Sequence, residues 1–124
     1  KVLSKRNKFS IGVLGLAYKE NTNSVKNSPT LHLLKRLKNT KTRVYDPKAK
    51  LGKKIKNCIQ DKDINFLIKN SNVIILMTPW PEFNKVDKIL KAQKNRKLIL
   101  VDPYRIINFK EVKNKYIKYF TLGK

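Results

Sequence analysis

The sequence predicts a three-layer α/β domain: a mostly parallel sheet with helices on both faces. Three observations predict it. Continuous apolar runs occur at Ile11–Leu16 and Val73–Met77, and a third buried strand reads from Lys97 to Val101 with Leu98–Val101 apolar, as expected of strands buried on both sides. Stretches with apolar residues at helical spacing lie between them. Turn-forming residues close each strand, with Asp46-Pro47, Thr78-Pro79-Trp80-Pro81 and Asp102-Pro103 as the clearest stops.

The elements follow in order. After the first strand, the polar stretch Lys19 to Asn27 makes a loop. Ser28-Pro29 reads as an N-cap with Pro at the first helical position. Leu31, Leu34 and Leu37 form the buried stripe of that helix, and Asn39 suits its C-cap. Arg43-Val44-Tyr45 is a short second strand. Residues 48–60 read as a short helix and a brief strand near Asn57-Cys58-Ile59. Asp61 or Asp63 caps a helix carrying Ile64, Leu67 and Ile68. Pro81 opens another helix, with Phe83, Val86, Ile89 and Leu90 on one face, and Lys115 to Leu122 reads as a final strand. Strand and helix alternate throughout, so right-handed crossovers give a three-layer, Rossmann-like arrangement. In such sheets ligands bind beyond the carboxyl ends of the strands. Residues 17–28, 78–82 and 102–106 fall there, and they hold Tyr18, Lys19, Trp80 and Arg105.

Composition narrows the function. The 124 residues are one domain's worth, and 40% hydrophobic content suits a globular fold. No apolar run approaches the ~20 residues that span a bilayer, and no charged-then-apolar leader is visible. The chain opens at Lys1 without Met, which fits an excised fragment. Cys58 and His32 are the only residues of their kinds, so neither an internal disulfide nor a structural zinc site is available, and a cytoplasmic setting is expected. The formal net charge of +22 suggests an anionic partner. Nucleic acid is the weaker choice: lysines run along the whole chain, and only Arg6, Arg36, Arg43, Arg96 and Arg105 offer a bidentate fork. A charge-driven nucleic-acid-binding module and a stand-alone interaction domain are kept as alternatives.

Gly12 and Gly15 make a poor dinucleotide fingerprint. They are three apart, a third glycine is missing, and no short turn leads into a helix. Close packing around the first strand accounts for them better. The longer string is more specific. Gly15-Leu16-Ala17-Tyr18-Lys19, followed by Thr22, Lys26 and Ser28-Pro29, resembles the segment opening the C-terminal domain of UDP-glucose and GDP-mannose dehydrogenases. That family typically reads Gly-Leu-Ala-Phe-Lys, then Thr, Arg and Ser-Pro. Val44-Tyr45-Asp46-Pro47, the strand Val73–Thr78 with Trp80 and Phe83, Val101-Asp102 with the Arg105 turn, and Thr121-Leu122-Gly123 are similar to family motifs in the same order.

The resemblance implies a domain that binds the UDP part of a sugar nucleotide. It implies NAD as the cofactor of the whole enzyme, held mainly by an N-terminal domain that, with the catalytic cysteine, lies upstream. It also implies a homo-oligomer at full length and no membrane partner. Lys19 matches the substrate-contacting lysine. Tyr18 stands at the family's Phe, and Lys26 at the arginine that contacts the cofactor; Lys keeps that charge but loses the fork. Arg105 is displaced by one position from the family's Asp-Gly-Arg turn. Thr78 and Trp80 line or support the cleft. Cys58 lies outside any Gly-rich Cys motif and reads as an inert thiol, and His32 as structural. No catalytic or metal-binding residue is expected in this chain. The motifs leave the sugar open among UDP-glucose, UDP-N-acetylhexosamines and GDP-mannose.

Overall fold

A computed structural model of the chain describes residues 9–17, 28–52, 54–93, 96–112 and 115–121. Its elements run β1 (Ile11–Leu14), α1 (Pro29–Arg36), β2 (Thr42–Tyr45), β3 (Cys58–Gln60), α2 (Ile64–Lys69) and β4 (Val73–Leu76). A 3-10 turn (Pro81–Lys85) continues into α3 (Val86–Lys91), followed by β5 (Leu98–Val101), α4 (Phe109–Val112) and β6 (Ile117–Phe120). Among the described residues every strand pairing is parallel, and the sheet order is β3-β2-β1-β4-β5-β6. This is the doubly wound order, with its switch point between β1 and β4.

Side chains alternate across each strand, so two cores form. On one face Leu14, Ile74, Leu76, Leu98, Leu100 and Ile117 pack against α2, α3 and α4. On the other, Val13 and Val44 lie with Leu34 of α1 and with Ala49. The layers are therefore unequal, with α1 the only helix of its face among the described residues.

Local chemistry sets the boundaries, and several differ from the sequence reading. β1 stops at Leu14 because Gly15 turns at φ +107°, a conformation that side chains with a Cβ rarely adopt. Ser28 caps α1 as expected, its Oγ accepting from the Thr30 amide at 3.1 Å. That helix ends earlier than Asn39, with Leu37 as its C-cap. Asp63, rather than Asp61, caps α2 by accepting from the Asn65 amide at 3.0 Å. Asp61 instead holds the Arg43 guanidinium at 2.9 Å. The expected helix within residues 48–60 does not form among the described residues. That segment spends its polar groups on Gln60, which accepts from the Leu51 amide and donates to the Ala49 carbonyl. The single turn α4 has too short an apolar pattern to be read beforehand.

Gly12 faces α2. A Cβ built there would lie 2.6 Å from Leu67 Cδ2 and 2.9 Å from Ser71 Cβ. The glycine thus lets the helix end approach the sheet. Gly12→Ala forces that contact apart and is expected to lower stability by roughly 1–3 kcal/mol, the usual cost of overpacking; urea unfolding of the two proteins measures it.

Candidate functional site

The carboxyl ends of β1, β2, β4 and β5 are tied to one another by short hydrogen bonds. Asp46, directly after β2, is 7% exposed and accepts four backbone amides. Leu16 and Ala17 donate to its Oδ2 at 2.8 and 2.9 Å, and Lys48 and Ala49 to its Oδ1 at 2.8 and 2.7 Å. The chain leaving β1 is therefore fixed to the chain leaving β2. Thr78, beyond β4, donates its hydroxyl to the Ala17 carbonyl at 3.1 Å. A Cβ on Gly15 would lie 2.6 Å from the Thr78 hydroxyl, so only glycine admits this approach.

The N-terminus of α1 is held at the same place. Ser28 Oγ donates to the Leu16 carbonyl at 2.7 Å, and Thr30 Oγ1 donates to the Gly15 carbonyl at 2.8 Å. Both flanks of residues 18–27 are thus pinned at the tip of β1. Tyr18, Lys19 and Lys26 fall within that interval and lie outside the described residues.

The β5 tip is built on Asp102, which is fully buried. Its Oδ2 accepts from the Ile107 amide at 2.8 Å and from the Tyr119 hydroxyl at 2.9 Å. Burial, then the bond to Asp102, pushes the Tyr119 phenol up to about 12. Arg105 is exposed and turns the chain at φ +56°. Its amide donates to the Asp102 carbonyl at 3.2 Å, closing the turn. Tyr104 donates its hydroxyl to the Met77 carbonyl at 3.0 Å, tying the β5 turn to the end of β4. The Arg105 turn therefore lies at the same end of the sheet as Ala17.

Trp80 lies at this end but is only 5% exposed and packs in the core shared with α3. Its indole nitrogen is buried without a partner. Tyr45 donates to Glu82 Oε2 at 2.6 Å, joining the β2 tip to the 3-10 turn. Burial and that carboxylate push the tyrosine's ionisation far upward. Sequence reasoning noted Asp46 and Asp102 only as strand stops; their role as acceptors depends on partners distant in the chain.

Cys58 opens β3, at the opposite end of the sheet, and burial pushes its thiol up, away from a reactive thiolate. His32 is exposed on α1. Among the described residues no cluster of His, Cys, Asp or Glu could hold a metal. Two cavities lie away from the strand tips. One, about 460 Å³, runs between α1 and residues 51–56; the other, about 380 Å³, sits at the amino ends of β1, β2 and β4.

The glycines do not form a dinucleotide cradle. Gly12 is filled by α2, and Gly15 by Thr78, leaving no room for a pyrophosphate against them. The class that fold and site define is a doubly wound α/β domain whose first-strand glycines are filled by its own side chains. Residues 12–109 match the model of the UDP-glucose/GDP-mannose dehydrogenase family, UDP binding domain, and the chain belongs to that family. It is 32% identical over 124 residues to the UDP-glucose 6-dehydrogenase of Rickettsia bellii (strain RML369-C), covering 92% of this chain and 28% of that protein. It is 24% identical over 123 residues to the UDP-glucose 6-dehydrogenase TuaD of Bacillus subtilis (strain 168), covering 93% and 26%. The solved UDP-D-ManNAc dehydrogenase of Pyrococcus horikoshii superposes with a TM-score of 0.69 at 26% identity, over 94% of this chain and 26% of that one. The chain thus spans just over a quarter of the length of these curated relatives. Among the described residues no helix is long and apolar enough to cross a membrane.

Two outcomes are expected. Asp46→Asn replaces one acceptor oxygen by a donor facing two backbone amides, and it should cost roughly 2–4 kcal/mol, measured by urea unfolding. Tyr119 contributes stability that is fully present below pH ~10, its unfolded value, and is lost as pH rises through about 12. The destabilisation caused by Tyr119→Phe should therefore shrink across that window; unfolding of both proteins at pH 9 and pH 12 checks it.

Proposed function

We propose that the chain is the UDP-sugar-binding domain of an NAD-dependent nucleotide-sugar 6-dehydrogenase, the class that oxidises a sugar C6 alcohol to the carboxylate with two NAD. The observation that carries this is the joining of the β1, β4 and β5 tips by Thr78–Ala17 and Tyr104–Met77 hydrogen bonds. These bonds hold Ala17, the residue before Tyr18 and Lys19, and the exposed Arg105 turn at one end of the sheet, which supports reading those residues as one site.

Lys19 and Arg105 serve as the cations for the diphosphate, Lys as a point charge and Arg as a planar fork. Tyr18 packs against the nucleotide. Trp80 acts from behind, filling the core beneath the tips. NAD supplies the oxidant when bound; its main site is assigned to a domain outside this chain, and Lys26 contributes a charge toward it. Cys58 takes no part, because it lies at the far end of the sheet. The full-length enzyme is read as a cytoplasmic homo-oligomer. Names of the relatives favour UDP-glucose as the sugar nucleotide, with UDP-N-acetyl-D-mannosamine second.

The charge-driven nucleic-acid reading receives no support. Among the described residues basic side chains fall in separate groups: Lys35, Lys38, Lys54 and Lys56 border one cavity, while Lys41, Arg43, Lys69 and Arg96 border another at the amino ends of the strands.

Titration of the 124-residue chain with UDP-glucose, followed by amide NMR, is expected to shift residues 15–19, 78–80 and 102–106. Lys19→Ala and Arg105→Ala should each weaken binding about tenfold, the loss of one charged hydrogen bond. The chain alone should form no NADH. Shifts confined to the α1 or amino-end lysines would refute the assignment.

A further inference from the structure

Among the described residues, no helix covers the β4–β5–β6 half of the sheet on its α1 face. A row of side chains crosses the α1 face in register, from Val44 through Val13 and Ile75 to Val101 and Phe120. Val44 and Val13 are completely buried under α1. Ile75 and Val101 are only half-buried, and Phe120 is 54% exposed. The neighbouring row, Ile11–Val73–Ile99–Lys118, opens in the same direction, and Ile99 is 39% exposed. On the opposite face of β4 and β5, Ile74, Leu76, Leu98 and Leu100 are at most 3% exposed. Side chains packed under α1 belong to β1, β2 and the 49–58 connection, apart from Met77 beyond the end of β4.

A parallel sheet is stable when both faces are covered. The topology explains why one half is not. The β1-to-β2 crossover places α1 on one face, and the later crossovers place α2, α3 and α4 on the other. The bare area has the footprint of one helix. Three strands at ~4.8 Å spacing span about 10 Å, and four residues of strand run about 13 Å. A helix is about 10 Å across and rises 1.5 Å per residue, so about nine residues cover the patch.

We infer that the β4–β5–β6 face, centred on Ile75, Ile99, Val101 and Phe120, is the seat of an amphipathic helix belonging to the rest of a longer polypeptide. This rests on the reading of the chain as one domain of a dehydrogenase. The relatives supply ample chain for it, since the match covers 28% of the Rickettsia bellii protein. Charge disfavours a second copy as the occupant. Each copy carries +22, and Lys118 stands within the patch, so face-to-face pairing would set like charges together. An acidic residue beside the apolar stripe of the helix would meet Lys118.

The test is hydroxyl-radical footprinting of Phe120 and Ile99 in the 124-residue chain and in the product of the whole reading frame. Oxidation of Phe120 should fall several-fold in the longer protein. Phe120→Ser should lower the melting temperature of the longer protein while leaving that of the 124-residue chain nearly unchanged. Equal oxidation in both proteins would overturn the inference. So would sedimentation of the 124-residue chain as a dimer with Phe120 protected, which would make a second copy the occupant. UDP titration of the same samples separates this from the binding proposal: a bare face with UDP shifts at residues 15–19 sinks only the docking inference, and a covered face without those shifts sinks only the binding site.

Discussion

The Asp46 carboxylate is the constraint on which the binding end of this domain depends. Parallel strands end in separate loops, and nothing in the sheet itself brings those loops together. Asp46 does so by taking two amides from the β1 loop and two from its own. A carboxylate that accepts four N–H groups replaces its lost water with oriented dipoles, so burial becomes tolerable. The consequence reaches further than the bonds. With Leu16 and Ala17 fixed, their carbonyls stand where Ser28 and Thr78 can use them. The start of α1 and the end of β4 are thereby registered against the same two residues.

A second consequence concerns the glycines. In a dinucleotide site they make room for phosphate. Here the same end of the same topology spends that room on protein: Thr78 approaches Gly15. The fold is thus shared with cofactor domains while the glycine cradle is not, and under the proposed function recognition falls to charged side chains on the tips. This agrees with a domain that forms one wall of a cleft, where a ligand is held by reach rather than by backbone enclosure.

The sequence made most of the fold legible. Ile11–Leu14, Val73–Leu76 and Leu98–Val101 announce themselves because strands buried on both faces need no alternation. Ser28 and Asp63 announce helix starts because capping is local chemistry. The misses share a cause, which is dependence on partners far along the chain. Residues 48–57 look helix-capable, but Asp46 and Gln60 capture their amides and carbonyls. Phe109–Val112 forms a single turn only because α3 and β6 offer it a surface, including the stack of Phe109 on Tyr119 at 4.7 Å. At the site, Trp80 was legible as an aromatic after β4, but its depth was not; Arg105 was legible as a cation after β5, but its left-handed turn was not. Tyr18, Lys19 and Lys26 rest on the motif and on the pinned flanks of their segment.

The charge of the chain follows from the same economy of acids. Asp46, Asp61, Asp63, Glu82 and Asp102 are all engaged within the fold: one clamps loops, one holds Arg43, one caps α2, one binds Tyr45, and one anchors Tyr119. With the chain's eight acidic residues so largely committed to structure, its thirty basic residues go mostly uncompensated at the surface. The resulting field is diffuse and points at no single partner, yet it acts on every anion that approaches. A diphosphate would be drawn to this surface generally and held only where geometry converges. Under the proposed function discrimination comes from the strand tips, where hydrogen bonds fix several loops in one arrangement, while attraction elsewhere fades within about 8 Å at physiological salt. Charge explains why an anionic ligand is welcome; the Asp46 clamp explains where it would be held.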